Sequence, residues 1–262
     1  MENKTLASVR NLTIGYEDEV LCSGISFDIR EGDCIMLCGA NGSGKTTLMK
    51  ALAKKSNFHL PDSSTNTADS KWFSSTEDKA ECIMIPARIP KVAGFTLREF
   101  VRVSCFNKSD LFGKLSPSEE AALDQAISTL GLDHLADRDI STLSDGEFQK
   151  AGIASALVRK ADIILLDEPT AFLDAENRIS VLKTLRDISE GYPHTQNSPE
   201  NGVCHRTEVS HRPAIIFSTH DLHDGLQVCT KVFALGADHN FHCSSDSTQE
   251  SKAATVSCIF SR

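Results

Sequence analysis

The stretch GANGSGKTT, residues 39–47, has the residue types and spacing of a phosphate-binding loop. It matches the pattern G-x-x-x-x-G-K-[ST], directly after an apolar strand pattern and before a helical one, which makes a chance glycine-rich turn a poor alternative. Glycines let the backbone curl around phosphates, so that N–H groups and the positive end of the helix dipole face the anion. We expect Lys45 to reach the terminal phosphates and Thr46 to be a ligand of Mg²⁺. The predicted nucleotide-binding residues here are Gly39, Asn41, Gly42, Ser43, Gly44, Lys45, Thr46 and Thr47.

A second stretch, IILLDEP at 163–169, is a buried strand pattern that ends in two adjacent carboxylates. Asp167 can hold Mg²⁺, directly or through water. Glu168 can take a proton from, or orient, the water that attacks the γ-phosphate. Adjacent acids at a strand end can also be merely solvated, but the phosphate loop earlier in the chain favours one shared catalytic site.

A third stretch, TLSDGEFQKAGIASAL at 142–157, places a polar start before an apolar helical run. Ser144 and Glu147 have the spacing of a capping box, in which each side chain bonds to the backbone N–H of the other residue. Read alone, the stretch predicts an ordinary capped helix.

The elements that must position these residues are strands alternating with helices. Short apolar runs are typical of strands buried on both faces of a parallel sheet, so the chain is predicted to be an α/β protein with helices on both faces. The segment from about Phe95 to Lys160 is mainly helical, and Ser116, Pro117 and Glu119 predict another capped helix start. The predicted strands are LASVRNLTIGY (6–16), GISFDIREGD (24–33), CIMLCG (34–39), ECIMIP (81–86), ADIILLDEP (161–169), AIIFSTHD (214–221) and KVFALG (231–236).

Length and composition indicate one globular domain over residues 1–262, with a helical subdomain at about 88–160. Residues 56–80 are polar and rich in Ser and Thr, and we expect loops with weak strands there. Residues 191–213 are predicted to be a surface loop. No apolar run is long enough to span a bilayer and the first residues lack a signal-peptide core, so we expect a cytoplasmic protein with at most peripheral membrane contact.

The charge and the cysteines exclude other classes of function. The formal net charge of −9 argues against a broad nucleic-acid surface. The nine cysteines are scattered and include no C-x-x-C pair, so we expect reduced thiols rather than a disulfide framework or a zinc knuckle. His194, Cys204, His205 and His211 lie in the predicted 191–213 loop, but their spacing fits no zinc site, and a solvated loop is the favoured interpretation.

Five motifs in a fixed order give the chain its resemblance to a known family. The phosphate loop, LSDGE (143–147), LLDEP (165–169), AFLD (171–174) and STHD (218–221) together resemble the ATP-binding subunit of ABC transporters, over about residues 5–236. The resemblance implies a P-loop NTPase core with a parallel sheet flanked by helices, an antiparallel β part and a helical subdomain. It also implies ATP as substrate, Mg²⁺ as cofactor, and a homodimer that encloses two ATP molecules.

The resemblance assigns further roles by position. LSDGE matches the ABC signature, which implies that Ser144 and the N–H of Gly146 face the γ-phosphate of ATP held by the other subunit. The family more often has glycine at Asp145, and we expect this carboxylate to point away and to favour the helix dipole.

Three more residues match family positions at the nucleotide. Tyr16 falls where the family stacks an aromatic ring on adenine, although a surface strand tyrosine would look the same. Asp174 matches the loop that crosses the dimer interface, although alone it could be a helix N-cap. His220 matches the histidine that contacts the γ-phosphate and helps place the attacking water, although an isolated histidine there would usually be structural. His223, one helical turn further on, is interpreted as merely exposed.

One position departs from the family pattern. The family usually has a glutamine after the strand ECIMIP that contacts Mg²⁺ and the attacking water, but here Ala87 stands in its place. Either another group, such as Arg88 or a water, serves that role, or the coupling between ATP and transport differs.

The sequence and motif spacing of residues 113–147 and 165–178 are similar to those of ATPases of the metal-chelate importer group. Importers of this group take up iron-siderophore, haem or cobalamin complexes. The resemblance implies separate membrane permease subunits, a substrate-binding protein as an indirect partner, and a peripheral position at the cytoplasmic face of the inner membrane. An ABC exporter subunit and a soluble ABC protein without a transport role are the alternatives. The latter is disfavoured because the chain has one phosphate loop and no heptad repeats.

Overall fold

The computed structural model describes residues 3–16, 19–54, 80–104, 115–171, 173–191 and 211–260. The first two strands, β1 (Thr5–Tyr16) and β2 (Glu19–Arg30), form an antiparallel pair with several register shifts. Their buried side chains join the hydrophobic cluster that also contains side chains of the central sheet and of the first helix. The pair therefore forms the antiparallel β part that was predicted.

The central sheet contains β3 (Cys34–Gly39), β4 (Cys82–Ile85), β5 (Ile163–Leu166), β6 (Ala214–Ser218), β7 (Lys231–Leu235) and β8 (Phe241–Cys243). Its strand order is β4-β5-β6-β3-β7-β8. β3 to β7 are parallel to their neighbours, and β8 is antiparallel to β7. Consequently the carboxyl ends of β3, β4, β5 and β6, four consecutive strands of the sheet, lie along one edge.

The sheet is buried on both faces because successive side chains of a strand point to opposite sides. In β3, Cys34, Met36 and Cys38 belong to one hydrophobic cluster, whereas Ile35 and Leu37 belong to the other. The first cluster contains helices that follow β4, and the second contains the first helix and the β1–β2 pair. This two-sided burial explains why the strands read as continuous apolar runs.

The helices are α1 (Lys45–Lys54), α2 (Leu97–Val103), α3 (Pro117–Thr129), α4 (Asp145–Val158), α5 (Ala175–Glu190), α6 (Leu222–Val228) and α7 (Gln249–Ser257). Two short 3-10 helices, Asp133–Leu135 and Ile140–Thr142, connect α3 to α4. None of the helices in the described ranges has the length and apolar character needed to span a membrane.

The predicted α/β class is confirmed, and several local predictions can be followed in the structure. The capping box of Ser116 and Glu119 starts α3, with Pro117 as its first residue. Helices α2, α3 and α4 all fall within the predicted 88–160 subdomain, whose treatment as a separate unit stays a prediction. Most of the predicted loops 56–80 and 191–213 lie outside the described residues, and so do His194, Cys204 and His205. His211 is described, and its Nε2 lies 3.0 Å from the carbonyl oxygen of Ala161.

Candidate functional site

The phosphate loop joins the end of β3 to the start of α1, as its strand–turn–helix pattern predicts. Gly42 and Gly44 have φ angles of 79° and 100°, in the left-handed region that side chains other than glycine rarely adopt. Asn41 and Gly42 are exposed at the tip of the loop, whereas Thr47 is buried. The Oγ atom of Ser43 is buried and has no hydrogen-bond partner within the described ranges. The loop thus exposes its backbone at its tip, while the Ser43 hydroxyl is enclosed beneath it.

Lys45 is buried at the base of this loop. Its Nζ donates to the carbonyl oxygens of Gly39 and Ala40, at 3.0 and 3.1 Å. Burial lowers the pKa of its ammonium group, and the carboxylates of Glu168 and Asp167 oppose this shift. Phosphate oxygens would replace weak carbonyl partners with full charges, so the ammonium is suited to an anionic ligand.

Asp167 is the centre of a hydrogen-bond network at the ends of β5 and β6. The Thr46 hydroxyl donates to its Oδ2 at 2.8 Å, and the Ser218 hydroxyl donates to its Oδ1 at 2.9 Å. Ser218 Oγ also accepts the backbone N–H of Glu168 at 2.7 Å. One buried serine therefore holds both adjacent acids of the LLDEP stretch in fixed positions.

Glu168 and His220 face each other beside this network. His220 Nε2 lies 2.8 Å from Glu168 Oε1, and the histidine is exposed. Glu168 has a φ of 49°, a left-handed backbone conformation that is uncommon for a residue with a side chain. Such conformations persist when the surrounding structure enforces them, and they are concentrated at functional sites. Here Ser218 and the end of β5 hold the backbone.

Asp174 caps the start of α5 and is exposed there. Its side chain accepts from the backbone N–H of Asn177 at 2.8 Å and from Asn177 Nδ2 at 3.0 Å. One turn later, Arg178 forms an ion pair with Asp221, the residue after His220. A cavity of about 220 Å³ opens between this pair and Glu168. The first turn of α5 and the loop after β6 are thereby joined.

The signature residues 143–147 form the start of α4. The Ser144 side chain accepts the Glu147 N–H at 3.3 Å, and Glu147 Oε2 accepts the Ser144 N–H at 2.8 Å, so the predicted capping box is present. Gly146 is buried against the start of α5: an added Cβ would lie 3.5 Å from Leu173 Cδ2, just before that helix, and 3.7 Å from Asn177 Cβ within it. Asp145 does not merely favour the helix dipole: its Oδ1 lies 2.8 Å from Lys91 Nζ.

The structure brings most of the predicted residues into two separate groups. The phosphate loop, Asp167, Glu168 and His220 form one connected group, whereas the hydrogen bonds of Ser144 stay within the first turn of α4. Tyr16 ends β1, where it pairs with Glu19, and its side chain is outside the described residues. The hydrogen bonds given for the phosphate-loop group and those of Ser144 therefore involve different residues.

Ala87 lies just after β4, at the edge where Asp167 stands. The backbone N–H of Asp167 donates to the Ile85 carbonyl at 3.0 Å, which fixes the end of β4 beside the end of β5. Ala87 and Arg88 line a cavity of about 610 Å³, whose opposite wall includes Asp145 and Gln149 of α4. A larger side chain at Ala87 would therefore have room in this cavity.

Sequence reasoning missed Ser218, Lys91 and Arg178. Ser218 was visible as the serine of STHD directly after an apolar strand, although its partner Asp167 is 51 positions earlier in the sequence. Lys91 and Arg178 gave no local signal, because their partners Asp145 and Asp221 are 54 and 43 positions away.

Comparisons with known proteins agree with this geometry. A family model described as ABC transporter matches residues 22–171, more than half of the chain. The achromobactin transport ATP-binding protein CbrD of Dickeya dadantii is 30% identical over 191 residues, which cover 73% of this chain and 71% of that protein. The iron(3+)-hydroxamate import ATP-binding protein FhuC of Bacillus subtilis is 28% identical over 204 residues, covering 78% and 76%.

Solved structures show the same fold. An inward-facing metal-chelate type ABC transporter superposes with a TM-score of 0.76 at 24% identity, covering 98% of this chain and 89% of that one. A nucleotide-free ATP-binding cassette from an ABC transporter superposes with a TM-score of 0.69 at 16% identity, covering 99% and 100%. The family match and the coverage of its relatives show that the chain belongs to the ABC transporter family, as the ATP-binding subunit that hydrolyses ATP.

Proposed function

We propose that this ATPase powers the import of a metal chelate, such as an iron-siderophore, haem or cobalamin complex, through separate membrane permease subunits. The observation that carries the proposal is the connected group of Thr46, Asp167, Ser218, Glu168 and His220 at one edge of the sheet. The cargo class is supported by the relatives, which include transport proteins for achromobactin and iron hydroxamate. The subunit lies at the cytoplasmic face of the membrane, a substrate-binding protein is an indirect partner, and nucleic acid is not a partner.

The residues present fit Mg²⁺ together with ATP. Thr46 Oγ1 and Asp167 Oδ2 are 2.8 Å apart, so two hard oxygen donors of the kind that Mg²⁺ prefers already converge. Thr46 and Asp167 would hold the ion, and Asp167 would do so directly or through water. When bound, Mg²⁺ neutralises charge on the phosphate oxygens. Lys45 and the backbone of residues 39–47 bind the phosphates of the same nucleotide.

Catalysis is assigned to Glu168, His220 and Lys45. Glu168 accepts a proton from the attacking water or orients it, from a left-handed backbone position just after β5. His220, 2.8 Å from Glu168 Oε1, keeps the carboxylate in place and contacts the γ-phosphate. Lys45 stabilises the negative charge on the terminal phosphates.

The second half of the site comes from another copy of the chain. Ser144 is exposed at the start of α4, Gly146 follows in the first turn and is buried in the single chain, and a helix N-terminus is suited to a phosphate. The Ser144 side chain and the N–H of Gly146 would face ATP bound to the other copy, with Asp174 at the interface between the two. Tyr16 is proposed to stack on the adenine ring.

A groove beside the site suits a segment of a permease. It has a volume of about 470 Å³ and a mainly apolar lining that includes Ile89, Val92, Phe95, Phe100 and Val103. Val92, Phe95 and Val103 are among the few large apolar side chains that are exposed within the described ranges. Exposed apolar groups that line a concave surface are typical of a protein interface.

Two experiments test the function. Glu168→Gln keeps size and hydrogen bonding but removes the base, so ATP should trap a dimer that size-exclusion chromatography resolves. A variant that hydrolyses ATP at the wild-type rate would refute the role of Glu168. Deletion of the gene, followed by uptake of radiolabelled ferric siderophore, haem and cobalamin, tests the cargo. Unchanged uptake of all three would favour an exporter or a soluble ATPase instead.

A further inference from the structure

The segment from Ile89 to Gly94 lies along α4 and is anchored on both sides of Lys91. Ile89 packs so closely on α4 that a Cβ added to Gly152 would lie 2.9 Å from Ile89 Cδ1. The Gly94 N–H donates to Asp139 Oδ2 at 2.7 Å, in the connection that leads into α4. Lys91 therefore extends from a segment whose two ends are both attached to the helix and its approach.

The Lys91 ammonium binds three groups around the first turn of α4. It donates to the Leu143 carbonyl at 2.7 Å and lies 2.8 Å from Asp145 Oδ1. It also lies 5.5 Å from the centroid of the Phe148 ring, within the range of a cation–π contact. The three contacts come from residues before, at and after the helix start, so they define the direction in which that start points.

The ion pair between Lys91 and Asp145 affects the charge at the start of α4. Asp145 is the first residue of α4 and its side chain is 65% exposed, close to the donors Ser144 and Gly146. A free carboxylate there would repel the phosphates of ATP that these donors are proposed to meet. Lys91, with a side chain only 25% exposed, places a positive charge beside that carboxylate.

We propose that Lys91 is a positioning residue of the composite ATP site: it fixes the first turn of α4 and screens Asp145, so that Ser144 and Gly146 can receive the phosphate of ATP bound to the other copy. This inference rests on the proposed function of the α4 start. It explains how the chain carries an acid at Asp145, where the family more often has glycine.

Hydrogen exchange on the monomer without nucleotide tests the first part of the proposal. In Lys91→Met, amides at the start of α4, including that of Phe148, should exchange about three- to tenfold faster, because local opening of this turn becomes easier. Lys183→Met, which removes an exposed lysine on α5, is the matched control and should leave this exchange unchanged. Unchanged exchange in Lys91→Met would overturn the positioning role, whatever the function of the site.

ATP-dependent dimerisation tests the second part. In the Glu168→Gln background, Lys91→Met should raise the ATP concentration for half-maximal dimer about fivefold or more, while a fluorescent ATP analogue binds the monomer as before. Asp145→Asn, added to Lys91→Met, should recover much of the loss because the unscreened carboxylate is gone, and Lys91→Arg should retain most dimerisation.

The outcomes separate this inference from the proposed function. Wild-type dimerisation by Lys91→Met, or no recovery with Asp145→Asn, would overturn the screening role. Weaker ATP binding to the monomer would also overturn it, because Lys91 would then act on the phosphate loop. If the Glu168→Gln parent does not dimerise with ATP although exchange responds to Lys91→Met, the composite-site function fails while the positioning of α4 stands.

Discussion

Removal of the Ser218 hydroxyl should disable the site without removing any group that would touch the nucleotide. Ser218 is fully buried, and its Oγ donates to Asp167 Oδ1 at 2.9 Å while accepting the Glu168 N–H at 2.7 Å. Ser218→Ala deletes both hydrogen bonds and leaves a hole no larger than the oxygen atom. The Asp167 carboxylate would then keep Thr46 as its side-chain donor.

The expected size of the effect follows from these two bonds. A hydrogen bond to a charged group contributes about 1.5–3 kcal/mol, and a buried N–H left without a partner costs about 1–3 kcal/mol. Both hydrogen bonds involve the same oxygen atom, so their losses are not additive, and the neighbouring groups can partly rearrange. We therefore expect the free energy of unfolding to fall by about 2–4 kcal/mol. If displaced Asp167 and Glu168 cost the transition state about half of that, about 1–2 kcal/mol, kcat falls about 5- to 30-fold.

The assay combines urea unfolding with ATPase rates at saturating ATP over a range of Mg²⁺ concentrations. Ser189→Ala is the matched control, because Ser189 is also fully buried, its hydroxyl donates to the Arg186 carbonyl at 2.8 Å, and it lies away from the acids of the site, beside Cys34. We expect this control to keep the wild-type kcat and to lose no more than about 1 kcal/mol. An equal fall in kcat and in the free energy of unfolding in both variants would refute the reasoning, and so would a wild-type kcat in Ser218→Ala.

Three further predictions concern charge at the site and in the core. Lys45→Ala should abolish ATP hydrolysis and weaken ATP binding, and wild-type activity would contradict this role. Arg88→Ala should lower the ATPase rate while Ala87→Gln changes it little, if Arg88 replaces the family glutamine; a several-fold gain in Ala87→Gln would show instead that the ligand is merely missing. Burial raises the pKa of the Cys34 thiol to about 12 and that of Cys229 to about 11, from 9.0. Between pH 9 and the folded-state pKa, an unfolded thiol loses its proton first, so each thiol should lower the free energy of unfolding by about 1.4 kcal/mol per pH unit. Alanine at both positions should reduce this slope in urea titrations under reductant, while Cys22 and Cys38, whose pKa burial also raises, keep part of it.

Features that depend on neighbours in sequence could be predicted before the structure. The capping boxes at Ser116 and Ser144 use a partner three residues later, and both are present. The phosphate loop is similarly local, because its strand, glycines and helix follow one another without a break. Such elements follow from backbone geometry and hydrogen bonding over a few residues, which sequence patterns record well.

Features that depend on distant partners could not be predicted. Asp145 was expected to point away and to favour the helix dipole. Its partner Lys91 comes from a segment 54 positions earlier, which packs on α4 through Ile89. Only the tertiary packing of α4 brings the two charges together, so no periodicity or spacing could have revealed the pair.

The order of the strands explains why scattered motifs make one site. Each of four motifs follows a parallel strand: the phosphate loop follows β3, Ala87 follows β4, Asp167 follows β5, and His220 follows β6. Because the sheet order is β4-β5-β6-β3, these four strand ends are consecutive neighbours, although they are far apart in sequence. Parallel strands place all their carboxyl ends at one edge, where α/β proteins bind ligands. A change at Ala87 is therefore a change beside Asp167, so its effect should appear in ATP hydrolysis and not only in contacts with a membrane partner.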